Sequence, residues 1–162
     1  MVEVVTYRDE LRPHFERLNR AWIERYFRVE GPDLALFSDP RGGIIEPGGE
    51  IFFVVDEAGV QGTCAVLPHG PDTYELAKMA VDDGARGRGY GDLLMEAAIA
   101  FARAAGAERL MLVTNSRLEP ALRLYRKHGF VDVPIGPSSG YDRADTQLEL
   151  ALEPIRDEST QR

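Results

Sequence analysis

The chain has 162 residues, a length that predicts one domain at residues 1–153 followed by a polar, frayed tail at residues 154–162. Its 44% hydrophobic and 28% charged residues are typical of a globular protein. No apolar run reaches the ~20 residues that a membrane span needs, so no membrane association is predicted. The net charge of −8 argues against affinity for nucleic acid, which requires Lys and Arg to neutralise phosphates.

The first half of the chain is predicted to form a long helix and then a run of strands. An apolar stripe at spacings of three and four residues predicts a helix over residues 9–26, stopped by Gly31-Pro32. The stripe consists of Leu11, Phe15, Leu18, Trp22 and Tyr26. A short helix at 33–37 and a loop at 41–50 follow. The predicted strands are 2–5, 51–56, 60–67 and 74–81, the second and third of them joined as a hairpin.

Helices and strands alternate in the second half. The apolar face of residues 92–105 predicts a helix capped by Gly106. A buried strand at 109–114 precedes a helix that starts either with a capping box at Ser116 or with Pro120 in its first turn, and that ends at Gly129. Strands follow at 130–133 and 146–152, separated by a turn-rich segment at 134–140. This order predicts an α/β (mixed α+β) fold, a mixed sheet with helices on both faces.

The cysteine and histidine content bears on compartment and metal binding. Cys64 is the single cysteine and lies in a strand-like run, where a small core residue is expected. With no secretory signal apparent, this favours a reducing, cytoplasmic compartment. His14, His69 and His128 are scattered, so no metal site is predicted.

A glycine-rich stretch at residues 86–91, Arg-Gly-Arg-Gly-Tyr-Gly, stands between a predicted strand and a predicted helix. Its three glycines let the backbone approach a ligand, and the N–H groups of a helix N-terminus favour an anion. Arg86 and Arg88 add charge that could reach phosphates. No Lys-Ser or Lys-Thr follows, and the spacing differs from the dinucleotide fingerprint, so both common nucleotide loops are excluded.

The stretch instead resembles the Arg-x-x-Gly-x-Gly loop of the GCN5-related N-acetyltransferases (the GNAT family), which binds the acyl-CoA pyrophosphate. Residues 74–81 resemble that family's central strand, and residues 110–115 resemble its next strand. Residues 121–130, Ala-Leu-Arg-Leu-Tyr-Arg-Lys-His-Gly-Phe, resemble its helix ending in Leu-Tyr-x-x-x-Gly-Phe. These pieces stand in family order over residues 50–152.

The resemblance implies a GNAT-like acyl-CoA N-acyltransferase fold: a mostly antiparallel, twisted sheet whose two central strands splay around the cofactor. It implies an N-acetyltransferase that uses acetyl-CoA as co-substrate, without a metal, and passes the acetyl group by direct attack to a small-molecule or peptide amine. A homodimer is common in the family. Two alternatives are a non-catalytic acyl-CoA-binding or sensory module and a nucleotide-binding protein with a chance resemblance.

The resemblance also assigns cofactor-binding residues. Backbone N–H groups near a strand bulge would polarise the thioester and pair with pantetheine, the glycine loop would bind pyrophosphate, and an asparagine at the end of the next strand would hold the pantetheine arm. The residues so assigned are Met79, Ala80, Val81, Arg86, Gly87, Arg88, Gly89, Tyr90, Gly91, Asn115, Ala121 and Leu124. Core packing for Met79 and Val81, and a turn or cap for Asn115, are the alternatives.

Two residues are assigned to catalysis. Tyr125 stands where the family has a tyrosine as general acid. A phenol can donate a proton to the leaving thiolate. The alternative is a buried helix tyrosine. Glu75, on the central strand, is the candidate general base, taking the amine proton through water. By alternation it shares a face with Ala77 and Met79 and not with Lys78, until a bulge changes the phase. The alternative is a surface or salt-bridged glutamate, for which Lys78 is a candidate partner across a neighbouring strand.

The acceptor site is expected between the first helices and the last strands. Trp22, Tyr26 and Phe27 are candidate walls, although the core is the favoured position for Trp22. Arg143, beside Tyr141 in a turn-rich segment, could hold a substrate carboxylate, which would make the acceptor resemble an amino acid. A solvated arginine is the more ordinary interpretation of Arg143.

Overall fold

A computed structural model describes residues 1–136 and 141–153, which form a seven-stranded sheet in the order β1-β2-β3-β4-β5-β7-β6. The strands are β1 (Glu3–Thr6), β2 (Glu50–Asp56), β3 (Gly59–Pro68), β4 (Thr73–Val81), β5 (Arg109–Thr114), β6 (Val131–Val133) and β7 (Thr146–Ala151). The helices are α1 (Arg12–Tyr26), α2 (Gly31–Ser38), α3 (Tyr90–Ala104) and α4 (Glu119–Lys127). The predicted tail at 154–162 lies outside the described residues.

All strand pairs are antiparallel except β4 with β5, which are parallel. The prediction of a mixed, mostly antiparallel sheet is therefore confirmed. Helices cover both faces, as expected. None of the described helices is both long and apolar enough to cross a bilayer.

The structure decides or corrects three local predictions. Gly31-Pro32 begins α2, and α1 already ends at Tyr26; proline fits the first turn of a helix, where its missing N–H costs nothing. Of the two predicted starts of α4, Pro120 in the first turn is confirmed. Ser116 does not cap this helix, and its hydroxyl donates to Asp145. Within the predicted loop at 41–50, Arg41–Ile45 forms a short π-helical turn.

Two apolar cores lie on opposite faces of the sheet. On one face, α1 and α2 pack against β2 and β3 through Phe15, Ile23, Phe37 and Phe53. On the other face, α3 and α4 pack over a second cluster that includes Leu76, Leu94, Leu110, Leu122 and Leu148. Cys64 is buried in this second core, as predicted, and burial raises the pKa of its thiol. The two cores hold β4 and β5 at the centre of the fold.

The parallel strands β4 and β5 separate part of the way along their length. They pair only where Thr73–Glu75 of β4 meet 109–111 of β5. Beyond that point β5 continues to pair with β7 on its other side, as far as Thr114. Residues 76–81 of β4 consequently present a backbone edge that no described strand covers. The splay that the resemblance implied is present.

Candidate active site

A cleft of about 510 Å³ occupies the space between the separated ends of β4 and β5. Its walls come from β4, the loop before α3, the first turn of α3, the end of β5 and α4. The C-terminal end of α1 and the segment before β7 close the far side. Every residue predicted to act in catalysis or cofactor binding lines this cleft except Arg88.

A bulge in β4 sets which side chains face which end of the cleft. Lys78 has φ 56°, the one positive φ at a non-glycine position among the described residues, and the pairing with β3 shifts register between Thr63 and Ala65. Leu76 lies on the α3 side of the sheet, whereas Ala77 lies opposite Ala65 on the α1 side. Lys78 also points to the α1 side, where it reaches α2. The bulge therefore puts the Lys78 side chain on the same face of the sheet as Glu75. Strict alternation along the strand would have put it on the opposite face.

The loop before α3 has the backbone shape expected of an anion cradle. Gly87 has φ 82° and Gly89 has φ 80°, conformations that disfavour side chains, and nothing lies within 4 Å of a Cβ built on either residue. Gly91 differs from these two, because it packs closely on α4: a Cβ built on it would lie 3.0 Å from the Leu124 side chain, which would have to shift slightly. The N-terminus of α3, which starts at Tyr90, adds unpaired N–H groups and its dipole to this end of the cleft.

The two arginines of the loop point in different directions. Arg86 lines the cleft and pairs with Asp83 at 3.1 Å. Arg88 does not line the cleft, and its side chain lies 3.4 Å from Asp56 at the end of β2. The Tyr90 hydroxyl donates to the same carboxylate at 2.6 Å. The ion pair with Asp56 turns the Arg88 side chain away from the cleft, so contact between this side chain and a phosphate stays a prediction.

An acidic residue beside the cradle is neutralised from α4. Asp92, in the first turn of α3, lines the cleft. Lys127 Nζ lies 2.8 Å and His128 Nε2 2.7 Å from its Oδ1. The hydrogen bonds from Lys127 and His128 lower the pKa of Asp92. The negative charge of Asp92 next to an anion site is thereby compensated.

Tyr125 lies on the buried side of α4 and lines the cleft. Burial, with a smaller contribution from Cys64, raises the pKa of its phenol to about 12. Its hydroxyl makes no hydrogen bond to another described residue, and its ring packs against Phe130. A phenol with this pKa is protonated at neutral pH and can therefore donate a proton.

Glu75 stands at the point where β4 and β5 part, opposite Met111. Burial raises the pKa of this carboxyl group, and His69 and Lys78 oppose the shift. The predicted alternative, an ion pair with Lys78, is wrong, because Lys78 Nζ donates to Asp33 instead. The nearest basic atom recorded for Glu75 is His69 Nδ1, at 3.9 Å. A partly buried carboxylate with a raised pKa is a better proton acceptor near neutral pH than an ordinary glutamate.

A buried ionic cluster lies behind the far end of the cleft. Asp33 of α2 is fully buried and accepts from Lys78 Nζ and, in a fork, from Arg143 at 2.8 and 2.7 Å. Glu30 lies 3.3 Å from Arg143. Burial alone would raise the pKa of Asp33, but the hydrogen bonds from Arg143 and Lys78 lower it to about 2. Lys78 also donates to the Tyr141 hydroxyl at 2.9 Å.

This cluster changes the interpretation of Arg143. The guanidinium is 11% exposed and engaged by two carboxylates, so Arg143 is neither a solvated arginine nor a ready receptor for a substrate carboxylate. Trp22, Tyr26 and Phe27 all line the cleft. Trp22 also packs against the core on the α1 side, which is the position that the sequence favours for it. The Arg143 guanidinium lies 5.8 Å from the centre of the Trp22 ring.

Asn115 uses its side chain to hold two segments together. Its Nδ2 donates to the carbonyl of Arg143 at 2.7 Å, and its Oδ1 accepts from the N–H of Arg117 at 2.8 Å. This is the turn geometry given as the alternative interpretation. Asn115 still lines the cleft, so contact with a pantetheine arm stays a prediction.

Sequence reasoning missed Asp33, Asp92 and Arg117. Asp33 is 45 residues from Lys78 and 110 from Arg143 in the chain, and no local pattern joins them. Arg117 lines the cleft with its guanidinium 5.4 Å from the centre of the Phe27 ring. Asp92 carried a usable signal, an acidic residue directly after a phosphate-type loop. No group of side chains suited to a metal ion occurs among residues 1–136 and 141–153.

The fold and the cleft together define a split-sheet acyltransferase architecture, which comparisons with solved structures support. A GNAT-family acetyltransferase from Staphylococcus aureus Mu50 has a TM-score of 0.86 at 17% identity, covering 94% of this chain and 100% of that one. The Salmonella typhimurium protein yncA, solved with its cofactor acetyl-CoA, has a TM-score of 0.73 at 15% identity, covering 96% of each chain. At these identities the likeness establishes the fold.

Sequence comparison establishes the family. The model of the acetyltransferase (GNAT) family matches residues 8–130, most of the chain. The chain therefore belongs to the GNAT family of acyl-CoA-dependent N-acetyltransferases. It is also 31% identical over 81 residues to mycothiol acetyltransferase of Corynebacterium glutamicum. That match covers 50% of this chain and 28% of the relative's length.

Proposed function

We propose that this chain transfers the acetyl group of acetyl-CoA to a primary amine by direct attack. The observation that carries the proposal is the uncovered backbone edge of β4 at 76–81, which leads from the bulge at Lys78 to the glycine loop before α3. An extended pantetheine arm can pair with such an edge, and a pyrophosphate suits the N-terminus of a helix. The acetyl-CoA bound to yncA, a protein of the same fold, supports the choice of ligand.

The chain's own residues divide the cofactor between them. The loop from Arg86 to Gly91 would hold the pyrophosphate through backbone N–H groups, including that of Arg88, whose side chain points away. The backbone of Met79, Ala80 and Val81 follows the bulge and would meet the pantetheine and the thioester. Acetyl-CoA supplies an activated acetyl group joined to sulfur. An N–H directed at the thioester oxygen would stabilise the negative charge that develops there.

Two side chains would move the protons. The neutral amine attacks the thioester carbonyl carbon, the C–N bond forms and the C–S bond breaks. Glu75 takes the proton that the amine loses, through water, and its raised pKa suits a base that works near neutral pH. Tyr125 gives its proton to the departing thiolate and recovers one from solvent. Its hydroxyl, free of other described partners, is available for that transfer.

The test is release of free thiol from acetyl-CoA in the presence of a panel of primary amines, with a no-amine control. Tyr125→Phe should lower kcat by about 10²-fold or more and leave the Kd for acetyl-CoA within about twofold. Tyr7→Phe, a tyrosine that does not line the cleft, is the matched control and should behave as wild type. Equal turnover of Tyr125→Phe and wild type would remove Tyr125 as the acid.

The second candidate function is an acyl-CoA sensor that binds without turnover. Tight acetyl-CoA binding together with no thiol release for any amine would favour it. The pairing of Glu75 and Tyr125 in one cleft favours the enzyme, because a sensor needs neither side chain. We further propose that residues 1–153 act as one domain and that the reaction takes place in the cytoplasm, which suits the single buried cysteine.

A further inference from the structure

The charges at the far end of the cleft indicate the class of acceptor, an inference that rests on the proposed function. If the pyrophosphate lies at the α3 loop, the amine must enter from the opposite end, on the α1 side of the sheet. The charged side chains there are Glu75, Lys78, Arg117 and Arg143, and the aromatic ones are Trp22, Tyr26, Phe27 and Tyr141. Their net charge decides whether an acceptor can bring a carboxylate with its amine.

Two of the three cations at this end are already neutralised. Lys78 is 4% exposed and donates to Asp33, and Arg143 binds Asp33 through both terminal nitrogens. Glu30 provides the second negative charge, 3.3 Å from Arg143. Two cations therefore face two carboxylates, and neither cation has an uncompensated charge to offer a substrate.

Two further cations line the cleft among the described residues, Arg86 and Arg117. Arg86 belongs to the phosphate end and pairs with Asp83. Arg117 lies just before α4, stacked on Phe27, with its Nη1 3.5 Å from the carbonyl of Tyr26. It makes no ion pair with a described carboxylate, so a variant of Arg117 has to test whether it receives a substrate carboxylate.

Glu75 remains as the carboxylate that lacks a strong cationic partner at the acceptor end. His69 is its nearest basic neighbour, at 3.9 Å, and the Glu75 side chain is 22% exposed. A negative charge in a partly buried site attracts an ammonium ion and repels a second carboxylate. The aromatic rings of Trp22, Tyr26 and Phe27 add faces that suit a cation or an apolar substituent.

We propose that the acceptor is a small alkylamine or arylalkylamine with no carboxylate on the carbon that bears the amine. A free amino acid would bring its carboxylate close to Glu75, and Lys78 and Arg143 could compensate it only by giving up Asp33. This class replaces the amino-acid-like acceptor that Arg143 suggested from the sequence.

Matched pairs that differ only in the carboxylate test the proposal: tyramine with tyrosine, phenethylamine with phenylalanine, histamine with histidine, and isobutylamine with valine. Thiol release from acetyl-CoA is measured for each. We expect kcat/KM for the amines to exceed that for their amino acids by about tenfold or more. Equal use of both members, or preference for the amino acids, overturns the inference while the transferase stands. No release with any primary amine, when acetyl-CoA is bound, refutes the proposed function itself.

Variants of the cluster sharpen the test. Asp33→Asn removes the charge that neutralises Lys78 and Arg143, so the preference for amines should fall by about threefold or more. Glu30→Gln makes the same test if Asp33→Asn does not fold. Asp142→Asn, at an exposed carboxylate paired with Arg28, removes one charge outside the cluster and should leave the ratio unchanged. Arg117→Gln should also leave it unchanged; a wild-type preference for amino acids that this variant abolishes would identify Arg117 as a carboxylate receptor and overturn the proposal.

Discussion

Asp33→Asn should destabilise the fold strongly at neutral pH, because it leaves two buried cations with one fewer partner. Asp33 is fully buried, Lys78 is 4% exposed and Arg143 11% exposed. The fall in the pKa of Asp33 from 3.8 to about 2 corresponds to roughly 2–3 kcal/mol of folding free energy. Removing one member of a buried ion pair costs about 3–5 kcal/mol in other proteins. We therefore expect a loss of about 3 kcal/mol at pH 7.

The sign of the pH dependence follows from the direction of the shift. The pKa of Asp33 is lower in the folded chain than in the unfolded one, so its stabilisation is complete above the unfolded value of 3.8 and is lost as the pH falls towards about 2. Asparagine does not titrate. The difference in unfolding free energy between wild type and Asp33→Asn should therefore narrow on acidification. At pH 3 the part of this difference that comes from the pKa shift should be about half of its value at pH 7.

The assay is urea unfolding followed by circular dichroism at the two pH values, with equal m-values as the check on two-state behaviour. Asp142→Asn is the control, since its pair with Arg28 is largely exposed and should contribute under about 1 kcal/mol. A loss at pH 7 no larger than that of the control, or a loss that does not shrink at pH 3, would refute the structural account of the cluster.

Three further predictions concern β4 and the loop. The acid limb of the profile of kcat/KM against pH should have an apparent pKa above 4.5, the ordinary value for glutamate. Glu75→Gln should abolish that limb. A Glu75→Gln variant that keeps the limb would exclude Glu75 as the base. Lys78→Gly should be more stable to urea than Lys78→Ala by about 1 kcal/mol, since both lose the ion pair and only alanine is strained at φ 56°; the reverse order would contradict the bulge. Gly87→Ala should weaken acetyl-CoA binding in calorimetry and cost about 1 kcal/mol of stability, whereas Gly31→Ala should cost under about 0.5 kcal/mol, because both sites have room for a Cβ but only Gly87 has a positive φ. Equal losses of stability on alanine substitution at the two glycines would contradict a positive φ at Gly87.

The features that could be predicted from the sequence depend on neighbouring residues. The glycine loop follows from the spacing of Gly87, Gly89 and Gly91 between a strand and a helix. Helix α3 follows from its apolar face, and the end of α4 follows from Gly129, which has φ 97°. Each of these signals lies within a few residues of the structure it specifies, because helix periodicity and glycine conformation are local properties.

The features that could not be predicted depend on pairing between distant segments. Strict alternation puts Lys78 on the face of Leu76, and only the register shift against β3 moves it to the face of Glu75. In the sequence, Arg88 stands where a phosphate ligand is expected. In the folded chain, Asp56 at the end of β2 lies beside its side chain. Such positions follow from which strands pair and where the pairing slips, and no short window of sequence contains that information.

The bulge and the ionic cluster depend on each other. A non-glycine residue at φ 56° is strained by about 1 kcal/mol or more and persists only where its surroundings hold it. Lys78 is held by Asp33, and Asp33 is fixed in turn by Arg143, so α2 and the segment before β7 together support the positive φ of the bulge, a few residues beyond the point at which β4 leaves β5. The same contacts neutralise Lys78 and Arg143 at the acceptor end. A change at Asp33 should therefore alter both the backbone shape of the bulge and the charge that the acceptor meets, whereas a change at Glu75 should leave the bulge intact.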